Sequence, residues 1–375
     1  SSVFPLRGLG FLSKKSTISF HFTESLLKDN VLIGHAGGAY GLLSGMYFDK
    51  NRKYGIIFFA NGGKYGNYSS GYTDFEKELV SIIYFYLRPL IDVKNYIKLY
   101  EIIDKYKPID GVFHFAAFKS VNESVANPLK YYDNNINSLI SIIRLMENLK
   151  IEKLVYSSSC TVYGQPNILP VTENSPFIKA WSPYGHTKQI CEEIINSYIN
   201  SNPIIKVATL RYFNPVGAHE SGLIGELPKG IPNNLMPYLT QTALGIREFV
   251  NVYGNDYNTK DGTPIRDYIH VVDLAKSHLK AYEYISNIDK YSNEIFNIGT
   301  GKGYSVLEVI NSLNKWLDKP IKYKIVTRRP GDVEQIWADP TKANQTLNWY
   351  PKYNLDDMTK TALNWEKNFR NEKNN

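Results

Sequence analysis

The sequence predicts an α/β fold: an incomplete doubly wound parallel sheet with a smaller C-terminal substrate lobe, preceded by an unrelated α+β N-terminal segment. Three observations carry this. From residue 90 the chain alternates helix and strand patterns, and repeated βαβ units demand a parallel sheet with helices on its faces. Beyond Asn214 the alternation gives way to Pro- and Gly-rich loops with interspersed helices. That composition suits a lobe laid over the strand C-termini, where ligands bind in such sheets. Before residue 88 the pattern is instead one of short alternating strands and turns.

The elements follow in order. Two apolar runs within 44–62 flank the turn-forming stretch 49–53 and predict a β-hairpin. Phe75, Leu79, Ile82, Ile83 and Tyr86 recur at three- and four-residue spacing and predict a helix over 73–87. In the second part, 96–107 reads as an amphipathic helix and 111–116 as a short apolar strand. A long helix over 128–149 opens with Pro128, whose fixed φ suits the first turn. Strand 153–158, helix 184–199 and strand 205–211 complete the alternation. The domains are therefore 1–88 and 89–375, in line with about 150 residues per domain.

Composition removes several classes of function. Hydrophobic residues make up 43% and charged residues 21%, ordinary for a soluble globular chain. Two cysteines, Cys160 and Cys191, exclude a disulfide scaffold and fit a reducing compartment, so a cytoplasmic location is expected. No apolar stretch approaches the roughly 20 residues of a spanning helix, so no membrane is expected. The net charge is +7, of which residues 1–88 hold +4, and no basic run of nucleic-acid type occurs. The mild excess suits a phosphate-bearing small molecule. No metal site is expected.

One constellation carries chemistry. Tyr184 and Lys188 stand four apart and project from one face of the same helix. An ammonium beside a phenol lowers its pKa from about 10 toward neutrality, and such a tyrosine can act as a general base on an alcohol. In a chain with 29 tyrosines the spacing alone arises by chance. Its company is what matters: Ser157, Ser158, Ser159 and Thr161 follow directly on a strand upstream. Hydroxyls at a strand C-terminus can bind a reacting alcohol and relay its proton. Read alone they are also an ordinary Ser-rich turn.

Together these residues resemble the extended short-chain dehydrogenase/reductase superfamily, and within it the UDP-glucose (UDP-galactose) 4-epimerase family. The resemblance runs from Asp92 to about residue 367. It rests on 114–124, 131–135, 210–219, 230–238, 253–257, 262–273 and 328–332 as well as the Tyr–Lys and Ser motifs. It implies a Rossmann-like sheet, bound NAD, a UDP-glucose or UDP-galactose substrate and a homodimer. Tyr184 would take the proton of the sugar 4-hydroxyl, assisted by Ser159 and Thr161. Lys188 would bridge the nicotinamide ribose hydroxyls and depress the Tyr184 pKa. Cofactor positions implied are Asp92 and Val93 on the adenine side, with Phe115, Ala116, Lys119, Asn134, Tyr184, Lys188, and Tyr212 or Phe213 beside the nicotinamide. Nucleotide-sugar positions implied are Asn214, Asn234, Leu235, Asn251, Tyr253, Arg266, Arg329 and Asp332. Two separated guanidiniums suit a diphosphate. Ile336 lies where the resembling family sets the size limit for the sugar's 2-substituent.

The family opens with a strand, a glycine-rich turn and a helix that hold the pyrophosphate. This chain departs there. The run Gly34, Gly37, Gly38, Gly41 is out of register, and no crossover helix fits between Gly41 and Asp49. Residues 34–62 resemble instead the C-terminal end of β-lactamase-like serine hydrolases, with His35-Ala36-Gly37 as the edge-strand motif. The spacing Ser25…Lys28 lies too close to His35 to be that family's nucleophile. Three readings therefore stand, of which the first two are an epimerase by descent with a weakened or lost NAD site and a non-catalytic remnant that at most binds a UDP-sugar. A hydrolase carrying an epimerase passenger is the third.

Overall fold

Side chains on a strand alternate between the two faces of a sheet, and in this chain both faces are apolar. Val112, Leu154, Tyr156 and Val207 enter one buried cluster. Their neighbours Phe113, Val155, Ala208 and Leu210 enter another. Two apolar faces need two helical layers, which is the doubly wound arrangement.

The structure is a computed structural model that describes residues 92–104, 108–228, 230–329 and 331–374, together with the backbone of five upstream strands. These strands are β1 (Phe4–Leu6), β2 (Leu9–Phe11), β3 (Leu32–Ala39), β4 (Leu42–Asp49) and β5 (Gly55–Asn61). Then come α1 (Tyr96–Ile103), β6 (Gly111–Phe115), α2 (Val121–Ala126), α3 (Pro128–Leu149) and β7 (Lys153–Ser159). A 3-10 turn at Cys160–Tyr163 leads to α4 (Pro183–Ser201), β8 (Lys206–Tyr212) and β9 (Asn214–Val216). The remaining chain forms α5 (Leu235–Ala243), β10 (Val250–Tyr253), β11 (Ile265–His270), α6 (Val271–Asn287), β12 (Asn293–Ile298) and β13 (Gly303–Ser305). It ends with α7 (Val306–Asn314), β14 (Tyr323–Val326), β15 (Gln335–Ile336), α8 (Thr341–Leu347) and α9 (Leu355–Asn374). The second-part strands and helices predicted from sequence are present within one or two residues, except that the end of the helix predicted over 96–107, residues 105–107, lies outside the described residues. The helix expected over 73–87, and Ser25 and Lys28, lie outside the described residues.

The large sheet has seven strands in the order β12-β8-β7-β6-β5-β4-β3. Its run from β5 through β6, β7 and β8 to β12 is parallel. Leu99 and Ile103 of α1, Leu139, Ile142 and Met146 of α3 and Ile195 of α4 cover the first face. Leu274, Ala281 and Ile285 of α6 with Ala343 and Leu347 of α8 cover the second.

The expected hairpin is formed by β4 and β5, antiparallel from Leu42↔Asn61 to Phe48↔Gly55. The place beside β6, where the family has its cofactor strand, is held by β5, in parallel register from Ile56↔Gly111 to Ala60↔Phe115. The sheet is thus closed on that side by strands of the first segment. The run Gly34–Gly38 lies along β3, whose next element is the antiparallel β4 and not a helix.

The C-terminal lobe is built around β11, which pairs antiparallel with β13 and parallel with β15 and β9. A separate parallel pair joins β10 and β14. Val250 and Val252 of β10 point into the lobe's core with Leu239, Val309, Leu313 and Met358. Asn251 and Tyr253 alternate with them and stay half-buried. Among the described residues no helix is long and apolar enough to cross a membrane.

Candidate active site

Three local features bring the reacting groups together. Ser182 caps α4 by accepting from the Gly185 N–H at 3.2 Å, and Pro183 fills the first helical position. Tyr184 therefore sits in the first turn. Gly185 lets that turn approach the strand end: a Cβ there would lie 3.2 Å from the Thr161 carbonyl oxygen and 3.3 Å from its Cβ. On the other side, Ser159 ends β7 and caps the 3-10 turn, its Oγ accepting from the Thr161 N–H at 3.2 Å.

The Ser159 hydroxyl lies beside the Tyr184 phenol. Burial pushes the Tyr184 phenol up to about 12, against the lowering effect of the neighbouring Ser159 hydroxyl. This corrects the expected depression by Lys188. The lysine is 3% exposed and its Nζ donates to the Ser157 carbonyl oxygen at 2.6 Å, over the Tyr156 ring at 5.1 Å. Shared helix spacing places the two on one face but does not aim the ammonium at the phenol. Burial lowers Lys188 itself to about 8, partly offset by Cys191 and Glu192. Thr161 Oγ1 is buried without a partner.

Of the residues expected on the cofactor side, Phe115, Ala116, Tyr212 and Phe213 lie at the C-terminal ends of β6 and β8, Asn134 lies in α3, and Asp92 and Val93 precede α1. Ala116 is buried after β6. Asn134 donates to Asn135 Oδ1 at 3.1 Å. Asn135, which the sequence reading missed, pins the loop after β6 by accepting from the Phe118 N–H at 2.8 Å and donating to Thr187 Oγ1 at 3.1 Å. Asp92 is exposed and accepts from the Lys94 N–H at 3.0 Å, while the Val93 side chain belongs to the core, leaving its main chain for a ligand.

Phe213 is buried near the sugar-side cluster, whereas the Tyr212 hydroxyl is committed to His278. His278 Nδ1 contacts the Leu274 carbonyl oxygen at 2.7 Å, so that nitrogen carries the proton and Nε2 accepts from Tyr212. Phe115 packs on the same imidazole, ring centroids 4.8 Å apart. Lys119, expected near the pyrophosphate or ribose, is exposed and pairs with Glu226 at 3.6 Å.

Among the residues expected on the substrate side, Asn234 stands at the N-cap position of α5 ahead of Leu235, makes no side-chain cap bond, and donates instead to that same Glu226 oxygen. Arg266 is tied down, its Nη2 donating to the Val333 carbonyl at 2.6 Å and lying 3.8 Å from Asp332. Arg329 stacks over Tyr253 at 4.1 Å, which joins 328–332 to Asn251 and Tyr253 on one side of β10. Asn214 opens β9, paired with Tyr268. Ile336 faces Arg266 in register across β15 and β11. It is 2% exposed and packs in a cluster with Cys160 and Phe213, one residue beyond Ser159 and one before Asn214.

The donor set fits NAD at its nicotinamide ribose end. A lysine carries three N–H donors and Lys188 has spent one on Ser157, while the orphaned Thr161 hydroxyl also calls for a polar ligand atom. Among the described residues no group of three or more His, Cys, Asp or Glu could hold a metal ion.

Known proteins resemble the chain over most of its length. The family described as GDP-mannose 4,6 dehydratase matches residues 49–362. The UDP-glucose 4-epimerase of Dictyostelium discoideum is 50% identical over 276 residues, 74% of this chain and 79% of that protein. The crystal structure of UDP-glucose 4-epimerase from Bifidobacterium longum in complex with NAD+ and UDP has a TM-score of 0.73 at 45% identity, covering 79% of this chain and 88% of that one. That of the Stenotrophomonas maltophila enzyme, with bound NAD and formylated UDP-arabinopyranose, has a TM-score of 0.73 at 38% identity, covering the same 79% and 88%.

Proposed function

We propose that this chain, which belongs to the UDP-glucose 4-epimerases within the GDP-mannose 4,6 dehydratase family, interconverts UDP-glucose and UDP-galactose through a 4-keto sugar. The observation that carries the reading is the juxtaposition of the Tyr184 phenol and the Ser159 hydroxyl, with Lys188 one helical turn away, at the C-terminal edge of a parallel sheet.

In this reading the sugar 4-hydroxyl enters against Ser159 and Tyr184. Ser159 orients it, and Tyr184 takes its proton as C4 is oxidised and returns it when C4 is reduced on the other face. NAD, when bound, supplies the acceptor and then the donor of the C4 hydride. Net oxidation is zero and the product is the C4 epimer. The remaining donors of Lys188 would hold ribose hydroxyls, with Phe115, Ala116, Asn134 and Phe213 to wall that end and Asp92 and Val93 to meet the adenine end. Asn214, Asn234, Leu235, Asn251, Tyr253, Arg266, Arg329 and Asp332 receive the nucleotide sugar. Arg329 brings a stacked guanidinium to the diphosphate.

The same reading takes the protein as a cytoplasmic homodimer, consistent with its two buried free cysteines. Residues 1–88 are taken as a β-lactamase-like C-terminal segment and 89–375 as the epimerase region, although the family match already begins at residue 49, inside β4. The test is to supply the full chain with NAD and UDP-galactose and follow UDP-glucose. Approach to one equilibrium mixture from either sugar is expected. Binding of UDP-sugar without turnover is the result that favours the non-catalytic reading.

A further inference from the structure

We propose that Glu192 is a positioning residue for this reaction: through Ser158 and Arg211 it fixes both ends of the turn that carries Ser159 against the Tyr184–Lys188 face of α4. The proposal rests on the epimerase reading above.

The geometry starts from α4. Tyr184, Lys188 and Glu192 recur every four residues, so one helical stripe meets the end of β7 on three successive turns. Tyr184 meets the Ser159 side chain, Lys188 the Ser157 carbonyl, and Glu192 accepts from the Ser158 hydroxyl. Ser158 is paired in register with Arg211 on the neighbouring strand β8. Glu192 bridges the two: Arg211 Nε lies 3.1 and 3.2 Å from its two oxygens, and Nη2 donates to Oε2 at 2.7 Å.

The other edge of Arg211 reaches past the turn. Its Nη1 donates to Tyr163 Oη at 2.8 Å and to the Glu173 carbonyl oxygen at 3.1 Å. Tyr163 in turn donates to Asn297 Oδ1 at 2.6 Å, and Asn297 Nδ2 donates to the Val171 carbonyl oxygen at 2.9 Å. Ser158 stands just before Ser159 and Tyr163 closes the turn just after it. Both hang on the Glu192–Arg211 pair. Ser158, Tyr163, Glu192, Arg211 and Asn297 are each no more than 2% exposed.

A buried ion pair is a weak stabiliser, because desolvation offsets its Coulombic attraction. What this one adds is direction. Arg211 donates in fixed directions to a carboxylate on α4 and a phenol on the turn, so the turn cannot shift relative to the helix without breaking them. The carboxylate has a second effect, since it favours the charged form of Lys188 against burial. Lys188 is otherwise faced by His114 of β6, Tyr156 of β7 and Cys191 of its own helix, while Cys160 acts on Tyr184 and Tyr184 on Tyr212. His114 is lowered to about 3 by burial first and Lys188 second, so it is neutral near pH 7.

The experiment uses the full chain with NAD and UDP-galactose and two variants. Ser158→Ala removes one hydroxyl and keeps the ion pair. Glu192→Gln keeps the shape and removes the charge. Misplacing a reacting group by an ångström costs on the order of a hundredfold, so Ser158→Ala is expected to lower kcat by about ten- to a hundredfold with KM and the unfolding midpoint little changed. Glu192→Gln is expected to lower kcat and to move the basic limb of the pH profile to lower pH, a shift that Ser158→Ala does not share. Wild-type kcat and an unshifted profile in both variants would overturn the proposal. So would a loss of kcat matched by an equal loss of folded protein. An unsubstituted chain that binds UDP-sugar and NAD but does not turn over would overturn the epimerase reading and this proposal with it.

Discussion

Tyr184 and Lys188 are pulled in opposite directions from their ordinary values by the same cause. Burial raises a phenol, which ionises to an anion, and lowers an ammonium, which is a cation already. With Lys188 brought to about 8, most of its charge is present at pH 7 and it is lost as pH rises through that value. A reaction that needs the ammonium is therefore expected to show kcat/KM falling above about pH 8. A profile flat to pH 10 would mean the charge of Lys188 is not used. The same residue scale governs substrate size. Ile336 packs with Cys160 and Phe213 and offers no donor to an acetamido oxygen. An apolar wall rejects an added polar group by only about 1–3 kcal/mol. Binding of UDP-N-acetylgalactosamine is thus expected within roughly a hundredfold of UDP-galactose. A larger gap, measured by competition, would show that another side chain closes the pocket.

At the scale of the element, the site is the contact between the first turn of α4 and the end of β7. Gly185 permits that contact, since a Cβ would press to 3.2 Å on the Thr161 carbonyl. Gly185→Ala is expected to keep the fold, because alanine favours a helix, yet to lower kcat by about tenfold or more by shifting Tyr184 off Ser159. Unchanged kcat in that variant would mean the turn can yield without cost. Much of this contact was legible in the sequence. Pro128 and Ser182-Pro183 mark helix starts, and the four-residue step from Tyr184 to Lys188 names one face. One more step reaches Glu192, and that signal went unread. Arg211, Tyr163 and Asn297 gave no local signal, since their mutual bonds span 48 and 134 residues. Spacing also misjudged the Tyr184 pKa. It predicts which face a lysine shares, whereas the Ser157 carbonyl decides where its ammonium goes.

At the scale of the whole molecule, the parallel sheet and the lobe around β11 meet along the strand C-termini, where Ile336 shares a cluster with Phe213 and Lys119 pairs with Glu226. Arg266 and Ile336 on paired strands of the lobe reach Cys160 and Phe213 at the sheet's edge. The alternation of βαβ units made this architecture readable from residue 90 onward, because both faces of β6, β7 and β8 are apolar. The pairing of β5 with β6 was not readable, since a hairpin strand carries no sequence mark of its outer neighbour. The account's central claim is that Tyr184 moves the proton of the sugar 4-hydroxyl. Its most direct test is turnover of UDP-galactose by the full chain and by Tyr184→Phe, both supplied with NAD. One hydroxyl is lost, at a cost of about 1 kcal/mol in stability, so the variant stays folded. A general base contributes about 10²- to 10⁴-fold, and a fall in kcat of that size is the result predicted. Equal turnover in the two proteins would contradict it.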